Sequence, residues 1–415
     1  MTETLPTQPW MTHPATQAVI AALEAAGGAG CARFVGGCVR NALMRRPVAD
    51  IDIATTLTPD AVTEALAAAG LKAVPTGVEH GTVTAVARGR PYEITTLRRD
   101  VETDGRRAVV AFTTDWTEDA ERRDFRLNAL YADPAGRLYD PTGGGLADAH
   151  AGRIVFVGDP ALRIREDALR ILRFFRFQAW YGRGEPDAAG LAACAQLREL
   201  IGHLSAERVS AELLKLMAAE DPRASVRLMA QAGVLAVALP EAQGLGRFEQ
   251  LVAIETEMLF TEDALLRLAA LLPDDPAVAA ALADRLRLSN AQKERLVAAL
   301  TPRPGLVSWM SPKETRRFVY RLGADAFCDR VTLEWAASAR PKATPQWRAL
   351  LPTAQSWTPP RLPLSGEEVM AAGVPMGPLV GEVMREVEAW WVDNDFPADK
   401  LAIIERLKAV AQGIA

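Results

Sequence analysis

Strand-forming sequence is concentrated before residue 100 in this chain of 415 residues. Runs of alternating and β-branched residues predict four strands, at 33–36, 50–54, 82–88 and 92–97. A helix is predicted near residues 14–26, and the last two strands read as a hairpin joined at Gly89 and Arg90. From Ile164 onward the apolar spacing is helical. This order predicts an α+β fold, in which a head with a small mixed sheet precedes an all-helical remainder.

Two other segments carry breaker or loop signals. Residues 99–121 mix both charge signs around Gly105 and predict a mobile loop. Six prolines from Pro341 to Pro363 predict a connector before a last unit that contains several glycines.

Composition excludes several classes of protein. A net charge of -5 argues against a chain that coats nucleic acid over its whole surface, so any such contact must come from local basic patches. The four cysteines are far apart, which excludes a disulfide framework and predicts a reducing, cytoplasmic compartment. Residues 4–23 lack charge, but three prolines exclude a spanning helix, and no basic signal-peptide start is present.

The first motif with chemical content is GGCVRNALMRRPVADIDIATT, residues 36–56. Asp50 and Asp52 alternate with isoleucines in the two-residue period of a strand, so both carboxylates share one face and need a cation to offset their repulsion. Gly36 and Gly37 let the backbone approach a phosphate, and Arg40 supplies a fork of donors suited to phosphate oxygens. Together these features favour a nucleotide and metal site over a plain turn.

Glu93, in PYEITT, is a candidate third carboxylate for a two-metal site. It lies on a predicted strand with Tyr92 and Ile94 pointing the other way. An ordinary exposed glutamate is the alternative interpretation.

The second motif is ERRDFRLNALY, residues 121–131. A capped helix with a salt-bridged start would explain it. The functional interpretation gives Arg123 a phosphate, and gives Asp124 or Asn128 either a ribose hydroxyl or a structural hydrogen bond.

The third motif is RIREDALRILRFFRF, residues 163–177, where five arginines face only Glu166 and Asp167. At about 100° per residue, Arg170, Arg173 and Arg176 form one ridge of a helix whose other side is apolar. A solvated charged face is the usual explanation of such a run. Aromatic residues between the arginines instead favour arginines held in a cleft.

In order and spacing, the three motifs resemble the class II CCA tRNA nucleotidyltransferase and bacterial poly(A) polymerase family. The resemblance covers roughly residues 30–180, and LSGEEVMAAGVPMGPLVGEVM near the end is similar to the family's C-terminal segment. It implies a head of the DNA polymerase beta type at 1–145, a base-recognising neck at 146–205, a helical body at 206–305 and a tRNA-binding tail at 306–415. Asn41 and Arg126 depart from the family, which usually has Asp and Thr there.

The resemblance also implies site residues and partners. Mg²⁺ would lie on Asp50 and Asp52, and the partners would be the acceptor arm and 3' end of tRNA with CTP and ATP. The implied nucleotide contacts are Gly37, Arg40, Arg123, Asp167 and Arg170, with Arg173 and Arg176 nearby.

Base selection follows from hydrogen-bond chemistry. Cytosine and adenine present an amino donor beside a ring nitrogen acceptor, whereas uracil and guanine present a carbonyl beside an N–H. Asp167 and Arg170, on adjacent positions of one predicted helix, would match the first pattern and admit CTP and ATP without a template.

The predicted activity is therefore template-independent addition of CCA to the 3' end of tRNA by metal-assisted nucleotidyl transfer. Three alternatives stay open on the motifs alone. They are a poly(A) polymerase, a catalytically inactive RNA-binding relative, and a small-molecule nucleotidyltransferase that uses only the head.

Overall fold

The computed structural model describes residues 3–77, 81–103, 108–338 and 344–414, with the backbone alone at 100–103, 108–110 and 414. The chain forms two compact units, Met1–Pro240 and Glu241–Ala415. None of the helices in these described ranges is long and apolar enough to cross a membrane.

All the assigned strands lie in the first unit, before residue 140. They are β1 (Ala32–Val35), β2 (Asp52–Thr55), β3 (Lys72–Gly77), β4 (Thr82–Ala87), β5 (Arg90–Thr96), β6 (Arg98–Thr103), β7 (Ala108–Phe112), β8 (Tyr131–Ala132) and β9 (Leu138–Tyr139). Seven of them form one sheet in the order β3-β4-β5-β2-β1-β8-β9. β2 and β5 run parallel, whereas β1 and β2 run antiparallel, which confirms the predicted small mixed sheet.

The β4–β5 hairpin is confirmed, with its turn one residue earlier than the sequence predicted. Ala87 pairs with Arg90, so the two turn residues are Arg88 and Gly89, with φ of 50° and 76°. Two successive residues with positive φ match the right-handed twist of a tight hairpin.

The prediction of a mobile loop at 99–121 is wrong for the described residues of that segment. β6 and β7 pair as a separate two-stranded sheet, and a short helix, α4, follows them. Charged residues dominate 98–103, so the alternation of apolar and polar residues that marks a strand is not visible there. Gly105 lies outside the described residues.

The first unit also contains α-helices. They are α1 (Pro14–Gly27), α2 (Gly37–Leu43), α3 (Pro59–Ala68), α4 (Trp116–Glu121), α5 (Gly145–Ala151), α6 (Pro160–Glu166), α7 (Leu169–Tyr181), α8 (Ala188–Gln196), α9 (Ala206–Met217), α10 (Arg223–Gln231) and α11 (Val234–Ala238). The predicted first helix is thus confirmed within one residue at its end.

A buried phenylalanine cluster joins the strand-rich part of this unit to α7. Its members are Phe125, Phe156, Phe174 and Phe177, each at most 3% exposed. The Phe125 ring centroid lies 4.9 Å from that of Phe156 and 5.0 Å from that of Phe177. Aromatic burial of this size makes a large contribution to stability, so the cluster fixes α7 beside the segment that contains ERRDF.

The described part of the second unit is helical, as predicted. It contains α12 (Gly246–Met258), α13 (Ala264–Ala270), α14 (Pro276–Arg285), α15 (Asn290–Leu300), α16 (Pro312–Leu322), α17 (Ala324–Ala337), α18 (Thr344–Ser356), α19 (Gly366–Ala371), α20 (Pro378–Asp393) and α21 (Lys400–Ile414).

The connector predicted between Pro341 and Pro363 is wrong over residues 344–356, which form α18. Trp347 and Leu351 are buried on one face of this helix, and Pro352 lies within it. The apolar face outweighed the breaker signal of the prolines. Pro341 itself lies outside the described residues.

Candidate active site

The paired carboxylates lie at the start of a central strand. Asp52 opens β2 and is the register partner of Glu93 on the parallel strand β5. Ile53 and Ile94, one residue further along, are fully buried on the other face. Asp50 is exposed and precedes β2, so the observed strand begins two residues later than the predicted one. Ile51 is nevertheless buried, so the predicted alternation of buried and polar residues is confirmed.

Asp52 experiences a surplus of negative charge. Burial, followed by repulsion from Glu93 and Asp50, raises its pKa from 3.8 to about 6. Attraction to Arg123 and Arg40 lowers the pKa and offsets part of this rise. A carboxylate in this condition is stabilised by any added cation.

The donor set fits a hard divalent cation such as Mg²⁺. Carboxylate oxygens are its preferred protein ligands, and it commonly keeps only one or two of them together with substrate phosphates. Within residues 3–77, 81–103, 108–338 and 344–414, no group of three or more His, Cys, Asp or Glu side chains is arranged to hold a metal ion alone. Asp50 and Asp52 would hold such an ion together with oxygens of the substrate.

A glycine turn leads into α2 beside this strand. Gly36 has φ 68° and ψ −118°, a conformation that side-chain-bearing residues rarely adopt, and Gly37 is the first residue of α2. A Cβ at Gly36 would lie 3.5 Å from Nη1 of Arg123. The backbone of Gly36 and this guanidinium thus approach each other closely.

Arg40 is buried, with only 7% of its surface exposed. Its Nη1 donates to Oδ1 of Asn128 at 2.6 Å, and its Nη2 donates to Oδ1 of Asn41 at 2.9 Å and to the hydroxyl of Tyr181 at 2.8 Å. Asn41 also donates to the Pro47 carbonyl, a bond that the family's usual aspartate cannot make. These bonds fix the direction of the Arg40 guanidinium in the absence of a nucleotide.

Asp124 and Asn128 continue this network towards α7. Oδ1 of Asp124 accepts from Nδ2 of Asn128 at 2.9 Å and from the Phe125 N–H, and Oδ2 accepts from Nε of Arg173 at 2.8 Å. Although burial alone would raise the pKa of Asp124, Arg173 and the other donors lower it. The structural hydrogen bond, one of the two roles left open for Asp124 and Asn128, is thus present.

Arg123 is held on one edge of its guanidinium. Nη2 donates to Oδ2 of Asp119 at 3.0 Å, and Nε donates to the Tyr131 hydroxyl at 3.3 Å. Although burial alone would lower the pKa of Arg123, Tyr131 and Asp119 raise it. The cation is therefore permanent, and its Nη1 is the nitrogen that approaches Gly36.

The single helix predicted for Asp167 and Arg170 is wrong. α6 ends at Glu166, Asp167 has φ −151° and ψ 104°, and α7 begins at Leu169. Oδ1 of Asp167 accepts from the Leu169 N–H at 3.1 Å and so caps the second helix. The predicted adjacency on one helix is lost, and Oδ2 of Asp167 binds Arg208 at 2.7 Å.

The predicted arginine ridge lies on α7, and each member makes an ion pair. Nη1 of Arg170 contacts Glu166 at 2.7 Å and the Arg163 carbonyl at 2.9 Å, and its Nη2 contacts the Arg122 carbonyl at 3.2 Å. Arg173 pairs with Asp124, as described above. Nε of Arg176 donates to the buried Glu212 at 2.6 Å.

Sequence reasoning missed several hydrogen-bond partners of Arg123 and Arg40. Asp119 precedes Arg123 by four residues, a spacing at which opposite charges attract on a helix, and this signal could have revealed it. Tyr131 ends the motif ERRDFRLNALY and received no role from the sequence. Tyr181, 141 residues from Arg40, left no signal because tertiary folding alone brings them together.

A mixed sheet with paired carboxylates at the start of a central strand, beside a glycine turn and a buried arginine, defines a nucleotidyltransferase head of the DNA polymerase beta type. Comparisons with known proteins agree. The family model described as "Poly A polymerase head domain" matches residues 32–155, and a second, "Probable RNA and SrmB- binding site of polymerase A", matches 186–245.

Relatives and solved structures extend the similarity over the chain. CCA tRNA nucleotidyltransferase 1, mitochondrial, of Mus musculus is 32% identical over 91% of this chain and 86% of its own. A CCA-adding enzyme of Lacticaseibacillus paracasei is 32% identical over 93% and 94%. The crystal structure of the Bacillus stearothermophilus CCA-adding enzyme in complex with CTP has a TM-score of 0.76 at 27% identity, over 97% of this chain and 100% of that one. The chain belongs to the family of CCA tRNA nucleotidyltransferases and bacterial poly(A) polymerases, which confirms the resemblance in its motifs.

Proposed function

We propose that this protein adds CCA to the 3' end of tRNA from CTP and ATP without a template. The observation that carries the proposal is the carboxylate pair of Asp52 and Glu93. Their repulsion is only partly offset by Arg40 and by Arg123, whose Nη1 approaches Gly36. Similarity over most of the chain to proteins named CCA-adding enzymes, one solved with CTP, supports the choice of substrates.

Mg²⁺ is the proposed cofactor, held by Asp50 and Asp52. When bound, it would neutralise charge on the reacting phosphate and favour ionisation of the attacking ribose hydroxyl. Glu93 adds negative charge that strengthens cation binding. The triphosphate is bound by Gly36, Gly37, Arg40 and Arg123, because backbone N–H groups and guanidinium groups are suited to phosphate oxygens.

Base selection is proposed for Asp167 and Arg170. Oδ2 of Asp167 now accepts from Arg208, so an incoming amino group of cytosine or adenine takes the place of that guanidinium. Arg170 donates to the ring nitrogen while Glu166 holds its other edge. Arg173 and Arg176, each bound to a buried acid, keep α7 in place.

A division into four domains is part of the proposal. The catalytic head (1–145) and the neck (146–205) both fall inside the compact unit Met1–Pro240. The body (206–305) and tail (306–415) are proposed to bind the acceptor arm of tRNA through phosphate and shape contacts. A cytoplasmic location, proposed from the scattered cysteines, is tested by cell fractionation.

A poly(A) polymerase is the second candidate, because both matching family models are described by that name. The test is incubation with CTP and ATP, separately and together, of tRNA lacking CCA, tRNA ending in CC, mature tRNA and an unstructured RNA. When both nucleotides are present, sequencing of the 3' ends should show three added nucleotides on tRNA lacking CCA and one A on tRNA ending in CC. Mature tRNA and the unstructured RNA should gain none. Long A tails on all four RNAs would establish the second candidate, and no incorporation at all would indicate an inactive relative.

A further inference from the structure

Asp119, on α4, is a carboxylate that the proposed reaction does not use. Only 1% of its surface is exposed, so it cannot touch a substrate. Oδ2 accepts from the Tyr131 hydroxyl at 2.7 Å and from Nη2 of Arg123 at 3.0 Å, while Oδ1 accepts from Nε of Arg122 at 2.9 Å. One buried acid therefore binds both consecutive arginines of the RRD motif.

These bonds leave a particular part of Arg123 facing the site. Nε is bound by Tyr131 and Nη2 by Asp119, so Nη1 is the nitrogen that lies beside Gly36. The side chain is only 17% exposed, and its charge lowers the pKa of Asp52. A guanidinium fixed along one edge presents its remaining donors in one direction.

The backbone of the same segment is held by a residue of α6. Nη2 of Arg163, on α6, donates to the Arg123 carbonyl at 2.8 Å and also to that of Arg122. Both the main chain and the side chain of Arg123 are thus fixed before any nucleotide arrives. Pre-organisation of this kind reduces the entropy lost on binding.

We propose that Asp119 is a positioning residue that fixes Arg123 for the triphosphate, with the Tyr131 hydroxyl as the bridge between them. This inference rests on the proposed function in one respect, the contact of Arg123 with phosphate. It adds a residue remote from the substrate whose effect on nucleotide affinity passes through Arg123.

Two opposite effects of removing the carboxylate's charge can be distinguished. Loss of a negative charge beside two arginines makes the site more positive, which by itself tightens phosphate binding. Loss of the anchor frees a long side chain, which weakens binding. Because the Arg123 side chain is only 17% exposed and its Nη1 approaches Gly36 closely, small displacements matter, and the second effect dominates.

The test is a double-mutant cycle measured by equilibrium binding of CTP with Mg²⁺ to the full chain. We expect Asp119→Asn to weaken CTP binding about tenfold, and to cause less than about twofold further loss when Arg123 is already changed to Gln. Affinity for tRNA should not change. Tighter or unchanged CTP binding by Asp119→Asn, or losses that add fully across the cycle, would overturn the proposal.

A matched control separates positioning from general destabilisation. Asp148, on α5, is also 1% exposed and is paired with Arg153 at 2.9 Å. The melting temperature is measured for both variants, and Asp148→Asn should keep CTP affinity within about twofold of the parent. An equal loss of CTP affinity in both variants would assign Asp119 an ordinary structural role.

A milder variant covers the case in which Asp119→Asn fails to fold. Tyr131→Phe removes only the bridging hydroxyl and should weaken CTP binding in the same direction by a smaller factor; no weakening would contradict the proposal. Arg123→Gln alone distinguishes the two levels of inference. If that variant binds CTP normally, the phosphate role of Arg123 fails. If it binds weakly while Asp119→Asn and Tyr131→Phe bind normally, only the positioning role fails.

Discussion

Asp52 and Glu93 are register partners on parallel neighbouring strands, so their carboxylates project from the same face of the sheet. Their mutual repulsion, added to burial of Asp52, is the electrostatic basis of the proposed cation site. The first two predictions follow from this relationship.

Loss of either aspartate should stop catalysis and spare RNA binding. We expect Asp50→Asn and Asp52→Asn to abolish nucleotide incorporation while gel-shift affinity for tRNA survives, because the charges serve the cation and Ile51 and Ile53 serve the core. Asp60→Asn, at an exposed carboxylate of α3, is the control and should retain full incorporation. Near-normal incorporation by either site variant with Mg²⁺ would contradict the metal assignment.

Stability should depend on pH through Asp52. Its pKa is raised from 3.8 to about 6 in the folded chain, so the protonated form is favoured by folding. The corresponding stability is fully present below pH 3.8 and is lost as the pH rises through about 6, a loss on the order of 3 kcal/mol. Added Mg²⁺ should therefore raise the melting temperature more at pH 8 than at pH 5.

The pH test has an internal control. Asp52→Asn removes the titrating group, so both the loss of stability near pH 6 and the larger effect of Mg²⁺ at pH 8 should shrink. A variant that keeps the full pH dependence would show that another group titrates there.

The Asp124–Arg173 pair should be important for stability. Arg173→Ala leaves a buried carboxylate without its main partner, and we expect the free energy of unfolding to fall by about 3 kcal/mol or more. Arg99→Ala breaks an exposed pair with Glu118 and should cost less than about 1 kcal/mol. Chemical denaturation of both variants tests the contrast, and similar losses would refute it.

Nucleotide choice should be more sensitive than stability at Arg170. A bidentate contact to a base contributes about 1 to 3 kcal/mol of discrimination, so Arg170→Ala should lower incorporation of CTP and ATP relative to UTP and GTP by about tenfold or more. Incorporation of each nucleotide is compared with a melting curve. Unchanged selectivity with a large drop in melting temperature would mean that Arg170 acts only by holding the Arg122 carbonyl.

Local patterns in the sequence were sufficient where one face of an element is buried. The alternation around Asp52 and around Glu93 predicted both strands, because a strand with one apolar face has a period of two whatever it pairs with. The turn pair Arg88 and Gly89 was found to within one residue for a similar reason, since glycine marks positive φ locally.

The break between α6 and α7 was missed because the helical period runs through it unchanged. Asp167 ends one helix and its carboxylate caps the next, a role that an interior acidic residue of a longer helix would mimic in sequence. The partners of the site arginines are a harder case. Arg176 and Glu212 are 36 residues apart, and a contact at that distance leaves no periodic signal in one sequence.

The phenylalanine cluster determines which fragment of the chain can carry the catalytic sheet. Phe125 lies next to the RRD motif, whereas Phe156, Phe174 and Phe177 all follow residue 145 in the chain. A fragment that stopped at the proposed head boundary would expose Phe125 and lose the three rings that enclose it. The catalytic head is therefore not an independent folding unit, and any shortened or transplanted form of it must include α7.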